Sequence, residues 1–218
     1  TPEGDSGNLQ ALLARGGAAS SIFVVHRLDL QTSGVMLYAK TEAANLALSE
    51  LFRRHDLTRR YDAFAAGQPR DEAFSVRLSL SGKAATTHFR RVAQYERFCH
   101  LEATLETGRT HQIRRHLLSE GMPVLADAEY GRREPWHPTR LGLHAKHLAF
   151  VHPLSGAPLA FDASTIAWFV TSTRLIASPS ACLAAWSSKA TALSSGGNAI
   201  LRGASRQAGM STSMTAME

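Results

Sequence analysis

Apolar and polar positions change their period several times along this chain, and each change marks an element. Residues 22–25 form a short apolar run with the length of a buried strand, leading directly into the polar stretch from His26 to Gly34. There Thr32, Ser33 and Gly34 supply turn chemistry, after which residues 35–39 resume as a second strand. Thr41 offers an N-cap hydroxyl to the next segment, where Ala44, Ala47, Leu48, Leu51 and Phe52 recur at helical spacing. Residues 61–66 read as a strand closed by Gly67. Further on, Phe74, Val76, Leu78 and Leu80 alternate with Ser75, Arg77 and Ser79. Leu101, Ala103 and Leu105 alternate in the same way with His100, Glu102 and Thr104. A period of two describes strands with one wet face, which suits antiparallel or mixed pairing. Ser81-Gly82-Lys83 is the turn between two of them.

Thr110 is the expected cap of a helix running through Glu120, with Ile113 and Leu117 on one face and Gly121 closing it. Residues 144–152 predict another strand, ended by Pro153. Near the start, Leu9, Leu12 and Leu13 suggest a short helix. The pattern fades after residue 163. From Ser164 onward the chain is rich in Ser, Thr and Ala, its only acid is Glu218, and residues 166–170 and 182–186 are apolar islands without period. That stretch is expected to be an atypical, poorly ordered or partly helical tail.

Composition narrows the classes. The 218 residues suffice for one sizeable domain, or one domain plus a tail, and 44% hydrophobic with 19% charged residues is a globular balance. A formal charge of +6 and a pI near 9.8 favour a polyanionic partner. Two cysteines, Cys99 and Cys182, make neither a disulfide framework nor a four-ligand zinc site. No stretch approaches the ~20 apolar residues of a membrane span, and the acidic opening Thr1-Pro2-Glu3-Gly4-Asp5 is unlike a secretion signal. A cytoplasmic protein is the expectation.

Two stretches carry candidate chemistry. In His26-Arg27-Leu28-Asp29 one carboxylate sits between an apolar strand and a turn. It can serve as a nucleophile, as a general base or as half of a structural ion pair. No second carboxylate stands beside it, unlike the paired acids of glycosidases. In Glu106-Thr107-Gly108-Arg109-Thr110-His111-Gln112-Ile113-Arg114 a glycine turn opens a helix, with Arg109, Thr110 and His111 at its positive end. Such an end suits a phosphate, although the spacing is not that of a P-loop. His111 and His116 are five apart, which does not match a zinc-binding helix. The basic run Arg53-Arg54-His55 with Arg59-Arg60 reads equally as a solvated face or as an RNA-facing edge.

Taken together these residues resemble the RluA-type pseudouridine synthases. His26–Gly34 looks like the family's HRLD-x-x-TSG loop. Arg60-Tyr61-Asp62-Ala63 with Gly67 is similar to its second motif, and residues 107–117 match TGRTHQIR-x-HL throughout. Gly121-Met122-Pro123-Val124, Asp127, Tyr130-Gly131 and Leu143-His144-Ala145 follow in the family's order, so the likeness covers residues 1 to about 163. It implies an α+β catalytic domain, a mixed and mostly antiparallel sheet flanked by helices. It implies an isomerase that flips a uridine out of folded RNA and converts it to pseudouridine, without a metal or cofactor. Asp29 is then the nucleophile or base, Tyr61 the ring that stacks on the target and assists the late proton transfer, and Arg114 the cation paired with the carboxylate. Ile113 walls the uracil pocket, Arg27 enters the space left by the flipped base, and Arg109, His111 and Arg60 contact the RNA. The implied partner is ribosomal or transfer RNA, and the expected state a monomer.

The family's catalytic domain opens with strands and an Asn-Lys-Pro motif ahead of the point that Thr1 matches. Leading strands are therefore expected to be missing from the domain at residues 1–163. An inactive fragment and a non-catalytic RNA-binding module on the same scaffold are the competing readings. The intact set Asp29, Tyr61 and Arg114 favours the enzyme, since binding alone has no need of all three.

Overall fold

The computed structural model describes residues 10, 13, 21–132, 138, 140–164, 200–204 and 211–217. Three short strands come first, β1 (Phe23–Val24), β2 (Ser33–Gly34) and β3 (Met36–Ala39), then helix α1 (Glu42–Arg54). Strands β4 (Thr58–Ala66), β5 (Ala73–Arg77), β6 (Thr86–Gln94) and β7 (Phe98–Leu105) follow. Helix α2 (Gln112–Ser119), β8 (Leu143–Val151) and β9 (Pro158–Asp162) complete the main body. Beyond it, β10 (Ile200–Ala204) and β11 (Ser211–Met217) are strands rather than helix. Residues 165–199, which hold both apolar islands, and Leu9 and Leu12 of the early helix lie outside the described residues.

The larger sheet has the order β2-β8-β4-β7-β6-β5, with β9 also beside β8. Every pairing in it is antiparallel except β2 with β8. The smaller sheet runs β1-β3-β11-β10. This is the α+β, mostly antiparallel architecture that the family resemblance implied, and its pairing suits the alternating segments. In β7, Cys99, Leu101 and Ala103 are fully buried, and they join Ile113 and Leu117 of α2 in one core. Burying each leucine contributes roughly 2 kcal/mol. A second core gathers Ala44 and Leu48 of α1 with Leu37 and Phe150.

β5 ends at Arg77, short of the alternation that continues to Leu80. Leu80 and Lys83 still exchange hydrogen bonds of 2.8 and 3.2 Å. They close a two-residue turn in which Ser81 and Gly82 both have positive φ, the twist a tight hairpin prefers.

α1 begins as its pattern predicts. Thr41 is extended, and its Oγ1 accepts from the Ala44 N–H at 3.2 Å. α2 does not begin on Thr110. Its N-cap is His111, in the left-handed region at φ 54, and no side chain caps that turn. The reason is Gln112. Its Oε1 accepts from the Arg109 N–H at 3.0 Å and the Thr107 hydroxyl at 2.7 Å, while its Nε2 donates to the Thr86 carbonyl and Thr87 Oγ1. The loop's polar groups are thus tied to β6 by a buried amide, which leaves the His111 ring free to turn away. The other end closes as expected. The Gly121 N–H bonds to the Leu118 carbonyl and the Met122 N–H to that of Leu117, both at 2.9 Å.

Candidate active site

The loop holding Asp29 is strung between the two sheets. It leaves β1 in the smaller sheet and re-enters at β2 in the larger one, and two histidines fix its ends. His26 Nε2 accepts from the Leu37 N–H at 3.0 Å, and its ring stacks on Phe52 with centroids 4.6 Å apart. Burial, more than the nearby Arg59 charge, pulls His26 down to about 4 against an opposing backbone contact at Arg27, so it is neutral and able to accept. At the far end Ser33 Oγ lies 2.7 Å from His144 Nδ1, and His144 Nε2 lies 3.3 Å from the Ala163 carbonyl. A carbonyl can only accept, so Nε2 carries the proton and Nδ1 accepts from Ser33. Gly34 follows at φ 117. A Cβ there would stand 2.1 Å from the Ala145 carbonyl oxygen, so the parallel pairing of β2 with β8 requires glycine. Within the loop the Thr32 N–H closes a turn on the Asp29 carbonyl at 2.9 Å.

Arg114 reaches Asp29 from α2. Its Nη1 is 3.5 Å from Asp29 Oδ2, an ion pair longer than a strong hydrogen bond. The guanidinium is held elsewhere. Nε and Nη2 grip Asp127 bidentately at 2.6 and 2.7 Å, Nη2 also meets Glu129 at 3.2 Å, and the Tyr130 ring lies 4.8 Å away. Burial works against the Arg114 charge, but the bonds and charge of Asp127, with Asp29 and Glu129 behind it, hold it above its ordinary range. Burial likewise works against the Asp127 carboxylate, and Arg114 with the Tyr130 and Glu129 N–H groups more than offsets it, leaving Asp127 below its ordinary range.

A pocket of about 110 Å³ opens over Asp29. Arg27, Tyr61, Arg109, His111 and Ile113 line it with Asp29, so six of the expected site residues meet in one place. Leu28, Leu105 and Leu143 add apolar wall. His111 Nε2 stands 3.8 Å from Asp29 Oδ1, and its Nδ1 is 3.0 Å from the Tyr130 hydroxyl. Burial raises the Tyr61 phenol above its ordinary value, against the Arg59 charge and with the Asp29 charge, so it is a neutral donor. Arg114 lies behind the wall rather than in it. Arg60 is not among the lining residues, whereas Arg59 is. Successive side chains on a strand alternate faces, so Arg59 shares the pocket face with Tyr61 and Arg60 takes the other.

A carboxylate, a neutral phenol and three guanidiniums around an apolar-walled hollow suit a planar, polar ring attached to an anionic chain. Among the described residues no group of three or more His, Cys, Asp or Glu is placed to hold a metal ion. None of the helices there is long and apolar enough to cross a membrane. A profile of the RNA pseudouridylate synthase family matches residues 2–119, more than half of the chain. The chain belongs to this family. Among its relatives, ribosomal large subunit pseudouridine synthase D of Zymomonas mobilis is 38% identical over 163 residues, covering 64% of this chain and 51% of the relative. The uncharacterized RNA pseudouridine synthase YlyB of Bacillus subtilis is 34% identical over 154 residues, covering 64% and 51%. The chain spans about half the length of the curated relatives it matches. The fold is also that of human RNA pseudouridylate synthase domain containing 1, with a TM-score of 0.60 at 21% identity over 82% of this chain and 84% of that one. Human RNA pseudouridylate synthase domain containing 4 gives 0.62 at 22% identity, over 75% and 80%.

Proposed function

We propose that this chain carries the catalytic centre of an RluA-type RNA pseudouridine synthase, acting as a monomer in the cytoplasm on a uridine of structured ribosomal or transfer RNA. The observation that carries this reading is the pocket that brings Asp29 together with Tyr61 and Ile113, with Arg114 held 3.5 Å behind the carboxylate. In the isomerisation the N1–C1′ bond of uridine breaks, the uracil turns, and C5 bonds to C1′. The C5 proton leaves and N1 ends protonated, so no atom is gained or lost overall. Asp29 serves as the nucleophile or base, and Arg114 balances its charge. Tyr61 stacks on the uracil and assists the final proton transfer, while Ile113, Leu105 and Leu143 keep the freed base from escaping. Arg27 fills the space that the flipped nucleotide leaves, which offsets part of the few kcal/mol that flipping requires. His111 and Arg109 meet the RNA at the rim. Arg60 falls outside the pocket, and we assign its place there to Arg59.

Tritium release from RNA transcripts labelled at uridine C5 tests the reading. The chain should release tritium, and Asp29→Ala should abolish release while keeping RNA affinity within about threefold. Full release by Asp29→Ala would refute the assignment. Binding of structured RNA by the unmutated chain without any release would favour a binding module instead. Mapping pseudouridine across cellular RNA in a strain lacking the gene then identifies the target.

A further inference from the structure

Four arginines among the described residues are paired with carboxylates. Arg53 and Arg54 share Glu50, Arg90 meets Glu102, and Arg114 grips Asp127. Arg59 and Arg109 differ. Among the described residues neither forms an ion pair, although both line the pocket. Arg59 Nε is shielded from solvent and has no hydrogen-bond partner. Its Nη2 meets His55 Nδ1 at 3.3 Å, and a histidine nitrogen facing a guanidinium N–H can only accept. Its Nη1 lies so close to Gly108 that a Cβ there would stand 2.6 Å away. The guanidinium is therefore laid against the loop whose next residue supplies the second one. Arg109 is in turn steadied by a bond from its Nε to the Ala84 carbonyl at 3.2 Å.

Two cations and a histidine thus converge where, among the described residues, no carboxylate forms an ion pair with either guanidinium. Burial lowers His55, and the charges of Arg59 and Arg109 lower it further against Asp56. Burial also lowers Arg59 itself. The one carboxylate lining the pocket, Asp29, has its ion pair with Arg114, at 3.5 Å, and none with Arg59 or Arg109. An arrangement of this kind is relieved by an anion with several acceptor oxygens, for which the guanidinium fork is suited. We propose that Arg59 and Arg109 in the pocket wall, with His55 set against Arg59, form a phosphate subsite taking an RNA backbone phosphate directly attached to the target uridine. The proposal rests on the reading of the pocket as a uridine site, and it gives that nucleotide a second anchor. The ring is held by Tyr61 and the apolar walls, and its own phosphate by the cation pair. A subsite of this kind fixes the ribose between the two anchors, where Asp29 needs it.

Calorimetric titration tests this on the full chain with uridine, uridine 5′-monophosphate, uridine 3′-monophosphate and inorganic phosphate as probes. One monophosphate should bind at least roughly tenfold more tightly than uridine. Inorganic phosphate should weaken that monophosphate and leave uridine unaffected. Arg59→Gln and Arg109→Gln should each reduce the preference below about twofold with uridine affinity retained, and Arg59→Lys should keep part of it. Should Arg59→Gln lose its cooperative melt, Arg109→Gln carries the test, since it removes no buried packing. Equal binding of uridine and both monophosphates by the unmutated chain overturns the subsite, as does a preference that survives in both glutamine variants. The two readings fail separately. A preference that is present and lost in the variants, without tritium release from labelled RNA, keeps the subsite and sinks the isomerase. Tritium release with no monophosphate preference does the reverse.

Discussion

Replacing Asp127 with asparagine keeps the shape of the side chain and removes its charge. The carboxylate is inaccessible to solvent, and the Arg114 side chain is only 8% exposed. Asp127 accepts four hydrogen bonds, at 2.6 and 2.7 Å from Arg114 and at 3.0 and 3.1 Å from the N–H groups of Glu129 and Tyr130. An amide offers one acceptor oxygen, and its NH₂ would face guanidinium donors. Breaking a buried pair from one side costs about 3–5 kcal/mol. Glu129 and Asp29 remain near Arg114, so the lower end, about 3 kcal/mol, is expected. With a urea slope of roughly 2 kcal/mol per M, the denaturation midpoint should fall by about 1.5 M. Arg114→Met supplies the other corner of a double-mutant cycle, and the double variant should lose at least about 2 kcal/mol less than the two losses added. Acid adds a signed check. Asp127 is held below its ordinary value, so it contributes stability above about pH 4 that is lost as pH falls further, and the asparagine variant should lack that loss. Single losses below about 1 kcal/mol, or additivity within about 0.5 kcal/mol, would refute the view that Asp127 anchors Arg114.

Other perturbations have equally definite outcomes. His26 sits at about 4 in the folded chain against 6.5 unfolded, so its contribution is complete above about pH 6.5 and declines as pH falls toward 4. Between pH 7 and 5 it should remove up to about 2 kcal/mol of urea-measured stability, a slope that His26→Phe should flatten. Gly34→Ala drives a Cβ into the Ala145 carbonyl and should lower stability by more than about 3 kcal/mol. A melting temperature within a few degrees of the parent would contradict the close approach. Thr41→Ala removes the α1 cap and should cost about 1 kcal/mol in the same urea titration, with no change in RNA affinity.

Much of the fold was legible because burial imposes a period. Leu101, Ala103 and Leu105 had to share a face, as had Ala44 and Leu48; all but Leu105 are buried core, and Leu105 packs partly buried against it. What escaped is decided by geometry that period does not encode. With a strand starting at Tyr61 nothing in the pattern relates Arg59 to the pocket face. β4 begins at Thr58, and two residues back along it shares the pocket face. Thr110 had the chemistry of a cap, yet Gln112 satisfied the loop first through contacts 25 and 26 residues away in sequence. Asp127, Glu129 and Tyr130 lie in a loop without pattern, so their grip on Arg114 was invisible even though Asp127 and Tyr130 stood out as motif positions.

The site shows why spacing alone left Asp29 undecided between a structural and a chemical role. Its partner Arg114 is 85 residues further on, and the contact arises only because β2 pairs with β8 while β3 departs for the other sheet. Val35 is the residue at which the chain changes sheets, so the Asp29 loop is stretched across their junction. Histidines clamp both of its ends, one accepting from a backbone N–H and the other from a hydroxyl. Both stay neutral because they are buried, which ties the aim of Asp29 to the packing of both sheets. Asp29 is thus half of an ion pair and a group facing a pocket at once. The charge of Arg114 is spent mainly on Asp127, leaving Asp29 a long 3.5 Å contact and an open face toward whatever the pocket holds.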